Sequence, residues 1–196
     1  MDTSASEITF DQSGVCNFCH QWIEGEKKRL AFKLHPGKEW TYYELKKGGK
    51  YDCLLGLSGG IDSSTCLHYL VENEVRPLTF SVDNGWNDPK ADENIMRMVE
   101  TLKIPFQRVV LNLPVFRELQ KAFILSGTRN VEIPTDHVLM ALTYKTAAEN
   151  GIKYIISGGN HAEEGIMPES YGYQPRDLRH IRAIYKKFIG KNLKGI

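Results

Sequence analysis

The sequence predicts an α/β protein with a doubly wound parallel sheet, preceded by a small cysteine-bearing segment. Two observations carry this. From Tyr51 onward, short apolar runs alternate with stretches whose apolar residues recur at helical spacing, and that alternation favours a parallel sheet with helices on both faces. Three of the apolar runs also end in small and polar residues, "SGGIDSS", "SVDNGW" and "SGGNHAEE". In open parallel sheets the carboxyl ends of the strands form the ligand crevice. Those three ends are therefore expected to meet in space.

Residues 1–49 are polar, with "CNFCH", the charged run "EGEKKR" and the closing "KKGGK". They read as an irregular N-terminal segment, and residues 50–196 as the α/β domain. "YDCLLGLS" is expected to be a strand buried on both faces. Ile61 to Glu72 follows as a helix with Cys66, Leu67, Leu70 and Val71 on one stripe. "RPLTFSVD" is the second strand. Asn94 to Leu102 carries Ile95, Met98, Val99 and Leu102 at helical spacing, with Asp88-Pro89 as cap and first turn. "FQRVVLNL" is the third strand and Pro114 to Leu125 the next helix. Thr135 to Asn150 is a further helix, stopped by Gly151 where a left-handed residue is wanted. "KYIISGG" is the fourth strand.

Bulk properties exclude several classes. The net charge of +1 gives no global field of the kind nucleic-acid binders carry, so nucleic acid is not expected as a partner. No apolar run approaches the roughly 20 residues that span a bilayer, so no membrane is expected either. "MDTSASEITFDQ" lacks the basic and apolar regions of an export signal. Four cysteines without a disulfide pattern fit a reducing cytoplasm. The segment Arg176 to Lys194 holds seven Lys and Arg against Asp177. It reads as a nucleic-acid patch or, more economically at this net charge, as a solvated helix face.

The loop "GLSGGIDSS", Gly56 to Ser64, fits the G-x-S-x-G elbow of serine hydrolases. Only about 50 mostly polar residues precede it, too few for four strands and crossovers of about a dozen residues each. A Walker A loop is excluded because no Gly-Lys-Ser/Thr follows. What remains is an anion cradle. Gly59 and Gly60 let the backbone approach closely, the next helix offers free N–H groups, and Ser58, Ser63 and Ser64 add hydroxyls. Asp62 either caps the helix or holds a Mg²⁺ that bridges the loop to phosphates. Asp136 is a cap or a catalytic group at the start of its helix, with His137 beside it.

"SGGIDSS" resembles the pyrophosphate-binding loop of the PP-loop ATP pyrophosphatases. "MDTSASEITFDQSGVCNFC", "FSVDNGWN", "PTDHV" and "GGNHAEEGIMPESYGY" together resemble, within that superfamily, the N-acetyl sugar amidotransferases of bacterial surface-polysaccharide synthesis. The likeness runs from Met1 to about Lys194. That family has a further CxxC upstream and continues well past the position of Ile196, so this chain is expected to be a piece shortened at both ends. The resemblance implies a PP-loop, adenine nucleotide alpha hydrolase-like fold. It also implies ATP cleaved to AMP and pyrophosphate, converting the N-acetyl group of a nucleotide-linked sugar to an acetamidino group. Glutaminase and synthase-like subunits would supply ammonia. Two alternatives share the ATP site: a PP-loop tRNA-thiolating enzyme and a non-catalytic ATP-binding subunit.

The site residues follow from the same likeness. Ser58, Gly59, Gly60, Asp62, Ser63 and Ser64 would hold the phosphates, with Ser81 to Asp83 at the adenine. Without the resemblance, Asp83-Asn84-Gly85 reads as a strand-ending turn. Gly158, Gly159 and Asn160 would form the second nucleotide edge. Asp62, Ser58, His161 and Glu163 are the catalytic candidates, the last two on the acceptor or a metal. Glu164, Tyr171 and Tyr173 would touch the sugar substrate, and the basic segment Arg176 to Lys194 its diphosphate. Cys16 and Cys19 would supply half of a tetrahedral Zn²⁺ site, the family's second pair supplying the rest. A thioredoxin-like redox pair is the poorer match, because it would follow a strand and open a helix, whereas this pair sits in polar sequence with no apolar strand against it. Cys53 and Cys66 read as small buried hydrophobes.

Overall fold

The computed structural model describes residues 2–33, 45–46, 49–159, 168–171 and 174–194. The chain folds as two compact units. One is drawn from Met1–Glu44 and Gly159–Gly172, the other from Leu45–Gly158 and Tyr173–Ile196.

The larger unit contains the sheet, but its bounds differ from the expected 50–196, because Gly159–Gly172 groups with the smaller unit. Its strands are β1 (Cys53–Gly56), β2 (Pro77–Asp83), β3 (Phe106–Val110) and β4 (Ile155–Ile156). They form a four-stranded sheet in the order β3-β2-β1-β4, with every neighbour parallel. After the N-terminal helix α1 (Asn17–Lys33), the helices are α2 (Ile61–Glu72), α3 (Pro89–Leu102), α4 (Leu113–Ser126), α5 (Ile133–Glu149) and α6 (Leu178–Ile189). The chain adds β2 and β3 on one side of β1, then returns to place β4 on the other. That reversal makes the carboxyl ends of β1 and β4 the topological switch point, where such sheets bind ligands.

Alternation along the strands decides which helices lie on each face. Leu54 of β1 and Leu78, Phe80 and Val82 of β2 pack with Phe116 of α4 and Val138 and Ala147 of α5. The opposite face sends Cys53 and Leu55 against Leu67 and Leu70 of α2 and Ile95 of α3. β2 is buried through its first six residues, as a central strand covered on both sides must be. α6 packs on α4 and the start of α5, where Ile181, Ile184 and Tyr185 bury against Leu119, Phe123 and Ile133.

Local chemistry sets the ends of these elements. The Asp88 carboxylate accepts from Lys90 N–H at 2.7 Å and Pro89 opens α3, as the sequence implies. Gly151 follows α5 with φ +64°, the left-handed turn expected there. At the amino-terminal edge of the sheet, Asp52 is buried and accepts from the Arg76 backbone N–H (2.9 Å), Nε (3.0 Å) and Nη2 (2.8 Å). This joins the starts of β1 and β2.

Three expectations are corrected. The fourth strand, read over Lys153–Gly159, pairs only at Ile155–Ile156, because "SGG" turns out of the ladder to reach α2. The third strand stops at Val110, and Leu113 already begins α4. The segment read as irregular contains the 17-residue helix α1. Its glycine and dense charges hide the usual apolar stripe.

The smaller unit has its own core of Ala5, Ile8 and Cys16, against which Phe18, Cys19 and Tyr171 pack. Asp11 organises the turn before α1. Its carboxylate accepts from the backbone N–H groups of Ser13 and Val15, both at 2.9 Å, and from His20 Nε2 at 2.8 Å. The Ser13 hydroxyl, which also donates to it at 2.7 Å, followed by the Val15 N–H and His20, holds its pKa well below the ordinary carboxylate range. Among the described residues no helix is long and apolar enough to cross a membrane.

Candidate nucleotide site

β1 ends at Gly56, and the chain passes through Leu57 and Ser58 into two glycines before α2 begins. Gly59 has φ +75°, and a Cβ there would stand 2.3 Å from the Ala91 carbonyl oxygen of α3. Only glycine fits, both for its torsion and for the close packing of the loop on α3. Gly60 is the N-cap of α2 and has no side chain to offer, so the helix begins without a side-chain cap. An uncapped α2 start leaves N–H donors and the positive end of the helix dipole facing the loop.

The serines tie the loop to the helix. Ser58 N–H donates to Ser63 Oγ at 3.2 Å, and the Ser58 and Ser63 hydroxyls lie 3.1 Å apart. Gly60 N–H donates to Ser58 Oγ at 3.3 Å, and Ser64 Oγ–H donates to the Gly60 carbonyl at 2.6 Å. Ser63 is buried, whereas Ser58 is exposed. Asp62 lies exposed in the first turn of α2. Gly60, not Asp62, occupies the cap position, which removes the capping role left open for that carboxylate. An accessible hard-oxygen ligand beside a phosphate cradle suits Mg²⁺.

β4 closes the loop from the other side. A Cβ on Gly158 would stand 3.0 Å from the backbone nitrogen of Ser63. The backbone after β4 therefore lies directly against the start of α2. The Cys66 thiol of α2 donates to the Ser157 carbonyl at 3.7 Å, a second tie between the two segments. Burial, then the Asp62 charge, push that thiol's pKa up.

Beside the loop is a cavity of about 380 Å³, walled by the ends of β1 and β2 and by residues of α3 and α5. That size is within the range of small-ligand pockets. Ser81 lines it and is 4% exposed, yet its Oγ has no hydrogen-bond partner among the described residues. A buried hydroxyl without a partner costs about 1–3 kcal/mol, a cost that a ligand in the cavity can remove. Leu139 and Thr143 of α5 supply the far wall.

The α3 wall carries a network that sequence reasoning missed. Arg108 of β3 grips Asp92 through Nη1 (2.8 Å) and Nη2 (3.0 Å). Asn87 Nδ2 donates to the Val82 carbonyl (3.2 Å) and to Asp92 (3.3 Å). The Arg108 hydrogen bonds hold the Asp92 carboxyl below its ordinary range. Asn87 and Asp92 line the cavity, so the ion pair fixes its rim. No local motif announces a pair that forms only when β3 docks beside β2.

Other predicted positions have mixed placements. The Asp83 carboxylate accepts from Gly85 N–H at 2.9 Å, the strand-ending turn, while Asn84 rather than Asp83 lines the cavity. Asp136 lies in the first turn of α5, where Glu132 holds the cap position. His137 Nδ1 meets the Pro175 carbonyl at 2.6 Å. A carbonyl only accepts, so the proton is on Nδ1. Gly159 is exposed. Asn160, His161, Glu163, Glu164 and Tyr173 lie outside the described residues. The Tyr171 phenol is engaged within the smaller unit, 2.6 Å from Ser4 Oγ and 3.2 Å from Asp2.

Cys16 and Cys19 do come together, Sγ to Sγ at 3.4 Å, with Cys19 N–H donating to Cys16 Sγ. Cys16 pairs in a bridge with Phe10 and immediately precedes α1. The pair opens a helix, but among the described residues only that isolated bridge, and no strand, precedes it, so the ground against a redox pair stands. Two thiolates are half of a tetrahedral zinc set. His20 Nε2 is already occupied by Asp11. Among the described residues no group of three His, Cys, Asp or Glu converges, and those residues alone do not make a zinc site. Cys53 is fully buried, which pushes its thiol pKa up to about 12, as a small core residue should behave.

The four-stranded parallel sheet, the glycine turn after β1 and the crevice between β1 and β4 define a PP-loop, adenine nucleotide alpha hydrolase-like fold. Glutamine-dependent NAD+ synthetase from Acinetobacter baumannii, solved with ADP, matches 74% of this chain and 29% of its own at a TM-score of 0.53 and 17% identity. A U34-tRNA thiolase from Methanococcus maripaludis matches 94% of this chain and 69% of its own, with a TM-score of 0.47 and 16% identity. In sequence, an uncharacterized protein of Methanocaldococcus jannaschii is 31% identical over 131 residues. That alignment covers 64% of this chain and 45% of the relative, so the chain spans under half of its length. No protein-family model matches the chain.

Proposed function

We propose that the chain is the ATP-binding part of an adenylating enzyme that acts on an N-acetyl sugar carried by a nucleotide. The observation that carries the ATP reading is the cradle itself: an uncapped α2 N-terminus, Gly59 pressed on α3, and an adjoining cavity lined by a Ser81 hydroxyl without a partner among the described residues. The ADP held by the NAD+ synthetase of the same fold supports an adenine nucleotide as occupant.

In this reading the acetamido oxygen of the sugar attacks the α-phosphorus of ATP and pyrophosphate leaves. Ammonia, delivered by glutaminase and synthase-like partner subunits, then displaces AMP and leaves an acetamidino carbon. The first N–H groups of α2, with Ser58 and Ser63, stabilise charge growing on the departing pyrophosphate. Asp62 would hold Mg²⁺ together with the phosphates, and the ion supplies further charge neutralisation when bound. The sugar preference rests on the motif resemblance around "GGNHAEEGIMPES", most of which lies outside the described residues.

The test is pyrophosphate release from Mg-ATP, with a panel of UDP-N-acetyl sugars and ammonium, for the wild-type chain and Asp62→Ala. Sugar-dependent release, lowered at least about 100-fold in the variant, is expected, since one electrostatic stabiliser commonly carries that much. ADP formation in place of AMP would sink the reading. Release stimulated by tRNA would point to the thiolating alternative, and binding without turnover to a non-catalytic subunit.

A further inference from the structure

The amphipathic helix α6 has chemistry that the nucleotide site does not use. Of the chain's 25 Lys and Arg and 24 Asp and Glu, seven of the former and one of the latter fall between Arg176 and Lys194. The rest of the protein is therefore net acidic, and such asymmetry is a signature of polyanion binding. Not all of these cations are available. Lys191 pairs with Glu118 at 3.1 Å, and Lys187 Nζ sits over the Phe188 ring at 5.4 Å.

Arg179, Arg182 and Lys186 are different. They recur at i, i+3 and i+7, which places them on one stripe of the helix, about 10 Å long from first to last. All three are exposed, and none forms an ion pair among the described residues. The lone acid of the segment, Asp177, spends its carboxylate capping α6 through the Arg179 and His180 N–H groups, although it also attracts the Arg179 charge. No α6 residue lines the cavity, so the stripe is not explained as a clamp on a nucleotide held there.

Basic amphipathic helices commonly lie on membranes by burying their apolar side in lipid. Here that side is already committed: Ile181, Ile184 and Tyr185 are buried against α4 and α5. The free side shows Arg179, Arg182, Ala183 and Lys186, without the aromatic or large apolar anchor that protein interfaces use. A partner for this face must be held by charge alone, through anionic groups repeated along a chain.

We infer that the Arg179–Arg182–Lys186 stripe of α6 docks the phosphate backbone of a nucleic acid, without reading its bases. This departs from the expectation drawn from net charge, because the whole-chain sum conceals how the charge is distributed. It does not rest on the reaction proposed above, and it is tested without ATP.

The experiment is fluorescence anisotropy of a labelled single-stranded RNA of about 20 nucleotides, titrated with the full chain between about 50 and 200 mM salt. Three phosphate contacts predict a log–log salt slope of about −2 for a single strand. Arg182→Gln combined with Lys186→Gln should weaken binding at least about fivefold and bring the slope to about −1 or shallower, with an unchanged melting temperature. A charge-matched control, Lys27→Gln with Lys28→Gln on α1, should leave both values in place. No binding at the lowest salt, or equal loss in the control pair, would overturn the inference. So would phosphatidylserine vesicles or polyglutamate competing as well as unlabelled RNA at equal charge.

Discussion

Ser81 sits where a core strand becomes the wall of a cavity. Its hydroxyl is buried and lacks a partner among the described residues, a cost that the proposed nucleotide would relieve by supplying one. Ser81→Ala removes that cost in one state and the contact in the other. The variant is expected to match or exceed wild-type stability by up to about 1 kcal/mol, yet to bind ATP about 5–10-fold more weakly. Thermal unfolding and calorimetric titration check the two halves; a fall in both stability and affinity would mean plain packing damage. The glycines and serines of the loop were legible because a strand–glycine–helix pattern is local. The state of Ser81 was not, since it depends on α3 and α5 closing around it. Asp83 shows the converse, as its side chain completes its own turn and the neighbouring Asn84 faces the cavity.

The start of the sheet depends on one ion pair between elements. Arg76 surrounds the buried Asp52 carboxylate with three donors and lowers its pKa, chiefly by side-chain hydrogen bonding. A carboxyl whose pKa is lower folded than unfolded adds stability above its unfolded value, about 3.9. That stability is lost as pH falls through the folded value. Arg76→Ala leaves the charge buried with the backbone N–H alone, so a measurable loss of stability at pH 7 is expected, smaller than for a fully buried pair because the guanidinium is half exposed. Urea midpoints measured from about pH 7 to pH 3 should converge for the two proteins, whereas a constant gap would argue against the electrostatic account. Element boundaries followed the sequence well where caps mark them, as at Asp88-Pro89 and Gly151. They failed at α1, whose charged surface hides helical periodicity, and at β4, where two paired residues suffice because backbone packing against α2 replaces further ladder bonds.

For the molecule as a whole, the alternation of strands and helices pointed to the architecture, while the return of β4 to the far side of β1 was not written in any local pattern. That return completes the cradle, so nucleotide binding should stabilise the larger unit as one body. Saturation at about 100 times Kd adds about 2.7 kcal/mol. A rise in melting temperature of several degrees with Mg-ATP is expected in the wild type and should be largely lost in Asp62→Ala. An equal rise in both proteins would remove Asp62 from the nucleotide site.

The contact between Gly158 and Ser63 also sets a timetable. The two residues lie about a hundred positions apart in the sequence, and a ribosome needs about 5–20 s to make that length. During synthesis the serine–glycine turn emerges well before the wall that closes it, and β1 waits with one edge bare until β4 arrives. The nascent protein thus passes through an interval in which β1, β2 and β3 can assemble but the cradle stays open. Whatever the cradle holds, it is completed only late in the life of the growing chain.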